Sequence, residues 1–144
     1  MPADEHFRKL ERMYLGAPIN AAYAPTIEIG EGWARVEIPV RPELFHGAGA
    51  VHGAVYFKVL DDAAFFAANS LLEDTFVVTT SFHIHLTRPV SEGRIVAVGR
   101  IVQASRRLSV AEAHAEDAAG RLLAKGSGTF VSSGIPLGET LGYR

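Results

Sequence analysis

Hydrophobic and polar positions follow two different periods along the chain. Between residues 33 and 40, Ala34, Val36, Ile38 and Val40 alternate with Trp33, Arg35, Glu37 and Pro39. A period of two predicts a half-buried strand. Residues 26–29 read as its partner, joined through Gly30, Glu31 and Gly32. The pattern then changes. From His52 or Gly53 to about Ser70, Val55, Val59, Leu60, Ala63, Ala64, Phe66, Ala67 and Ala68 occupy more than one face of a helix. A helix apolar on most sides has to be surrounded. Alternation returns in residues 76–88, 94–104, 107–117 and 121–132, with turn residues at 89–93 and 117–120. In the last of these strands Leu122, Ala124, Gly126, Gly128 and Phe130 share one face, and the two glycines let another element come close.

The ends are plainer. Residues 4–15 read as an amphipathic helix with Asp4 as its N-cap and Phe7, Leu10 and Tyr14 on one face. Residues 16–25 form a connector, and residues 133–144, with Gly134, Pro136, Gly138 and Gly142, read as an irregular tail. Segregated helices and runs of strands imply an α+β fold. One curved antiparallel sheet wrapped around one long central helix, with an extra N-terminal helix, satisfies both periods. The whole chain, 1–144, reads as a single domain with its core at about 26–131. The outer sheet face is then solvated or used in oligomerisation.

Composition narrows the chemistry. A hydrophobic fraction of 48% supports a sizeable core, and a net charge of −2 with no basic stripe argues against nucleic acid. The chain has no cysteine, which removes disulfides, thiolate metal sites and a cysteine nucleophile. The charged first residues do not resemble a signal peptide. The longest apolar stretch, 53–72, is interrupted by Lys58, Asp61, Asp62 and Asn69, so no membrane span is expected and a cytoplasmic location is the default. Two adjacent acids inside an apolar helix stand out, because an unpaired buried carboxylate is costly. One turn away from Asp61 lie Phe57, Lys58, Ala64 and Phe65, three of them apolar. That setting raises a carboxyl pKa and makes a better base. Asp62 points about 100° away and is placed to pair with Lys58 at the surface.

Several pieces together resemble the hotdog fold, and within it the PaaI-type (phenylacetate-degradation) acyl-CoA thioesterases. These are Leu44 to His46 before a glycine loop, His52-Gly53-Ala54, Asp61 nine residues after His52, Arg88-Pro89, Arg106-Arg107, and Gly120-Arg121 through Gly128-Thr129-Phe130. The match spans about 26–131. The chain departs from the pattern at three positions: His46 replaces an Asn, Ala54 a second glycine, and Asp62 a Thr or Asn.

The resemblance implies hydrolysis of an acyl-CoA thioester, with coenzyme A as part of substrate and product and no separate cofactor. It implies Asp61 as general base or nucleophile and an amide at or next to Gly53 as oxyanion donor. Helix-start amides lack intrahelical partners and suit a developing anion. His46, in the place of the Asn, is a candidate to donate to the thioester or touch Asp61. His52 is read as orienting the loop, and Thr79 as positioning Asp61 or water. Ala54, Phe57 and Phe65, with Tyr56, are candidate walls of an acyl pocket. Arg88, Arg106 and Arg107 are candidate partners for coenzyme A phosphates.

Nine residues of helix put His52 roughly 13.5 Å from Asp61, whereas reacting atoms must approach to about 3–3.5 Å. If both groups act on one carbonyl, they come from different subunits. A homodimer or homotetramer with its active site across the subunit interface is therefore expected. The resemblance places Asp61 of one chain opposite segment 46–54 of the other. Other readings stay open. One is an acyl-thioester dehydratase or hydratase using His46 or His52 with Asp61. Another is a non-catalytic acyl-CoA-binding protein. His83 and His85, two apart on a strand, share a face and would bind zinc only with a third ligand; no metal is assigned.

Overall fold

The computed structural model describes residues 2–144. Helix α1 covers Ala3–Gly16 and a single turn, α2, covers Asn20–Tyr23. Strands β1 (Thr26–Gly30) and β2 (Trp33–Pro39) precede the long helix α3 (Gly53–Asn69). Strands β3 (Thr75–Leu86), β4 (Arg94–Gln103), β5 (Leu108–Glu116) and β6 (Leu122–Pro136) follow. They form one six-stranded sheet in the order β1-β2-β4-β5-β6-β3, with every neighbouring pair antiparallel.

The sheet curls around α3, as the all-round apolar helix requires. Val55, Val59, Leu60, Ala63, Ala64, Phe66, Ala67 and Ala68 are all buried. The closest approach is at Gly99 on β4, where a Cβ would lie 2.3 Å from the carbonyl carbon and oxygen of Ala63. Small residues on both sides let helix and strand meet backbone to backbone. Asn69 then ties the end of α3 to β3: its Nδ2 donates to the carbonyls of Leu72 and Thr75, and its Oδ1 accepts from the Val77 amide. Helix α1 is fastened to β1 by Arg8, which donates to the Ile29 carbonyl, and Glu11, which accepts from the Ile29 amide.

The structure corrects several sequence expectations. Pro2, not Asp4, is the N-cap of α1, and Asp4 lies in the acidic first turn. Strand β3 ends at Leu86, before Arg88-Pro89. On β6 it is Leu123 that is buried and Leu122 that is exposed, because the pairing with β5 shifts register between Ala115 and Glu116. The tail is not irregular. β6 continues to Pro136 because the start of β3 offers it a partner, and Gly134, at φ 77°, falls within the register shift between Phe76 and Val77. A 3₁₀ turn at Glu139–Leu141 follows, and Tyr143 is buried against α1 with its hydroxyl 2.7 Å from His6 Nδ1.

One irregularity bears directly on function. The β3–β6 pairing skips Thr80. Before that bulge Val77 and Thr79 face the helix, and after it Phe82 and Ile84 do. A bulge re-aims side chains in this way. Phe82 covers Gly128 and Gly126, where a Cβ would come within 2.4 Å and 2.8 Å of its ring; the two glycines therefore admit a β3 side chain.

Candidate active site

Thr79, set just before the bulge, donates from Oγ1 to Asp61 Oδ1 at 2.7 Å. Asp61 Oδ2 has no hydrogen-bond partner among the described residues. Burial pushes the Asp61 carboxyl up to about 6; the Thr79 hydrogen bond opposes this, Asp62 adds to it, and Lys58 opposes it. The result is a half-buried acid held by one oxygen and poised to change charge near neutrality, where a general base works best.

Asp62 behaves as a structural partner, but not at the surface. Its Oδ2 lies 2.7 Å from Lys58 Nζ, with side chains only 16% and 13% exposed, and it also accepts from Tyr14 at 2.7 Å. Lys58 Nζ sits 5.5 Å from the Tyr14 ring centroid and 4.9 Å from that of Tyr23. Helix α1 and the turn after it cover the pair. Desolvation raises the Asp62 pKa, against the pull of Lys58 and Tyr14. Tyr14 is itself raised far above its usual value, first by burial and then by Asp62, so it stays a donor. Sequence reasoning missed Tyr14 and Tyr23. The only available signal was the pairing need of a second acid in an apolar helix.

Asp61, Asp62 and Lys58 line a cavity of about 520 Å³. Its apolar walls include Phe65, Phe66, Phe76 and Leu141. Phe65 thus reaches the cavity as expected. Phe57 does not line it; it is 41% exposed and packs edge-on against Phe82 with ring centroids 5.6 Å apart. Tyr56 is buried and donates to the Arg88 carbonyl at 2.8 Å.

At the other end of α3, His52 is the N-cap. Its Nδ1 accepts from the Ala54 amide at 2.9 Å, and its carbonyl accepts from the Val55 amide. Of the first three amides of the helix, the Gly53 N–H is the one left to donate elsewhere. Gly53 packs near Leu86, 3.3 Å from where a Cβ would sit. Ala54 is exposed, its amide spent on the cap. His46 is also exposed, in a tight loop where its Nδ1 accepts from the Ala48 amide. It makes no contact with Asp61 in this chain. Eight helical residues, roughly 12 Å, separate Gly53 from Asp61.

The arginines are not brought together. Arg88 lies near the start of α3, whereas Arg106 and Arg107 lie near its end, past a helix roughly 25 Å long. Arg106 is in an exposed pair with Asp74 at 3.2 Å. His83 and His85 sit on the exposed face of β3 with their Nε2 atoms 3.2 Å apart. No group of three or more His, Cys, Asp or Glu that could hold a metal occurs among the described residues.

A single antiparallel sheet rolled around one long central helix is the hotdog fold. The Thioesterase superfamily family model matches residues 48–124, and the chain belongs to that family. A Mycobacterium tuberculosis protein and a Saccharolobus solfataricus protein, both called "Putative esterase", are similar to it. The first is 30% identical over 103 residues, covering 69% of this chain and 74% of its own. The second is 25% identical over 127 residues, covering 88% and 87%. The fold matches that of the Escherichia coli PaaI protein from the phenylacetic acid degradation operon, with a TM-score of 0.85 at 20% identity, covering 94% of this chain and 99% of that one. Among the described residues no helix is long and apolar enough to cross a membrane.

Proposed function

We propose that this protein hydrolyses an acyl-CoA thioester, with Asp61 as general base or nucleophile and the Gly53 amide of a second copy as oxyanion donor. The observation that carries the reading is the half-buried Asp61 carboxyl. One of its oxygens is held by Thr79 and the other is unpartnered, on the wall of an apolar cavity. In the base route Asp61 takes a proton from water as the water oxygen attacks the thioester carbon. In the nucleophilic route its oxygen attacks directly and water then cleaves the anhydride. In both, the carbonyl electrons move onto oxygen, where an amide donor stabilises them, and the thiolate of coenzyme A leaves. Neither route calls for a metal or organic cofactor. In this reading the exposed Arg88, Arg106 and Arg107 are the candidate partners of the coenzyme A phosphates.

This reading calls for a second copy, since Asp61 and Gly53 lie roughly 12 Å apart on one helix and both are assigned to one carbonyl. The surface supports it. Strand β3 is a twelve-residue edge without proline, and Phe57, Val78 and Leu86 are exposed on or beside it. Unprotected edges of this kind normally find a partner.

The test combines a panel of acyl-CoA substrates, read by thiol release, with subunit mixing. Asp61→Asn and Gly53→Pro chains, each inactive alone, should recover roughly a quarter of wild-type activity when unfolded and refolded together. In random pairing half the dimers are mixed, and each holds one intact site. No recovery would overturn the pairing of Asp61 with the Gly53 amide of a second copy. Binding without turnover across the panel would leave an acyl-CoA-binding protein instead.

A further inference from the structure

The cavity beside Asp61 is built largely by segments outside the rolled sheet. Its floor is α3, from Lys58 through Asp61 and Asp62 to Phe65 and Phe66. Its other walls come from the end of α1 (Met13, Tyr14, Gly16), the residues that follow (Ala17 to Asn20), Phe76 of β3, and the C-terminal residues Thr140, Leu141 and Gly142. Along α3 the charged Lys58, Asp61 and Asp62 come before the aromatic Phe65 and Phe66, and Tyr14 touches both Asp62 and Phe66. Phe65 packs against Phe66, Phe76 and Phe130 with ring centroids 4.9, 5.3 and 6.1 Å away, yet keeps part of its surface open to the space. Ile19, 60% exposed, also lines it.

The C-terminal wall is anchored. Tyr143 reaches His6 on α1 at 2.7 Å, and the other ring nitrogen of His6 reaches the Asn69 carbonyl at the end of α3 at 3.0 Å. The turn before it is closed by hydrogen bonds from Leu141 and Tyr143 to the Gly138 carbonyl and from Gly142 to Glu139. Gly142, at φ 84°, holds a left-handed conformation against the Met13 backbone. Leu141 is therefore presented to the cavity from a fixed support rather than from a loose end.

We infer that this cavity receives the acyl group and that Leu141, carried on the C-terminal segment, sets the upper size limit of the group accepted. The inference rests on the thioesterase reading, because it is Asp61, among the lining residues, that places the thioester carbon there. From Asp61 to Phe66 is five helical residues, roughly 7.5 Å. An extended chain advances about 1.2 Å per bond, so an apolar acyl chain of roughly six to eight carbons spans this length. Acetyl would leave most of the cavity empty. A much longer chain would meet Leu141 and the Phe65–Phe76 wall.

Leu141→Trp and Leu141→Ala test this, with each variant first shown to melt cooperatively and to keep the wild-type oligomeric state. The kcat/KM values are measured for acetyl-, hexanoyl-, octanoyl- and dodecanoyl-CoA. The expected result is that Leu141→Trp lowers the octanoyl-to-acetyl ratio at least tenfold and Leu141→Ala raises the dodecanoyl-to-octanoyl ratio severalfold. Equal changes for all four substrates would overturn the inference while leaving hydrolysis intact. Binding of the non-hydrolysable octyl-CoA thioether is measured by calorimetry in parallel. A tenfold loss of affinity in Leu141→Trp supports the pocket even if no thioester is turned over, in which case the hydrolase reading alone falls. Unchanged affinity overturns the pocket.

Discussion

Asp61→Asn should abolish turnover and at the same time make the folded protein more stable above neutral pH. The folded-state pKa of Asp61 is raised from 3.8 to about 6 by burial. A group that holds its proton more tightly when folded costs nothing at pH values below the unfolded pKa, where both states are protonated. The cost grows as pH rises between the two values and is complete above about 6. Two units correspond to about 3 kcal/mol at most, and partial solvent access at the cavity mouth reduces the expected gain to about 1–3 kcal/mol. Asparagine removes the charge, keeps the volume, and keeps an oxygen to accept from Thr79. For a chain of this length the gain corresponds to a Tm rise of about 3–10 °C near pH 8, shrinking towards zero near pH 4. Melts of both proteins across that range, beside thiol-release rates, measure both halves of the prediction. A variant that is less stable at every pH would show that the Asp61 carboxylate is held by a favourable ion pair, and the argument for a strained, reactive acid would fail.

Four more outcomes follow from the geometry. If ionised Asp61 is the base, kcat/KM should rise with pH to a plateau with an apparent pKa near 6. Thr79→Val should move that inflection upward and lower the plateau, because the Thr79 hydroxyl favours the charged form; an unmoved inflection would detach Thr79 from the acid. His52→Ala removes the N-cap acceptor of α3 and should cost about 1 kcal/mol, a drop of about 3 °C in Tm, together with activity lost through a misplaced Gly53 amide; thermal melts and rates at one substrate concentration check both. Gly99→Ala would drive a Cβ into the Ala63 backbone, and with nothing there free to rotate away the penalty should be about 3 kcal/mol or more, read as a lower urea midpoint or as insoluble expression.

Much of this protein is written in local pattern. Period-two alternation located the strands, and the all-round apolar stretch located α3, because burial on one face or on every face constrains which residues a segment can carry. Asp61 was legible for the same reason: a carboxylate among Phe57, Ala64 and Phe65 must be desolvated wherever the helix ends up. The pairing of Lys58 with Asp62 was also local, the two lying one turn apart on α3.

What stayed hidden depended on residues far apart in the chain. The bulge at Thr80 carries no glycine or proline signal and arises from pairing with β6, yet it decides that Thr79 faces Asp61. Tyr14 covers the Lys58–Asp62 pair from 48 positions away, turning an expected surface contact into a buried one. The tail looked irregular because its glycines and proline break local periodicity, whereas strand pairing with Thr75 and Phe76 and the meeting of Tyr143 with His6, 137 positions apart, give it order. Local sequence thus determined which segments are strands, which is the enclosed helix, and which acid on it is unusual, since those follow from how each residue meets water. Only the tertiary structure decided what lies against that acid, because such contacts depend on how distant segments fit together, a property no short window of residues contains.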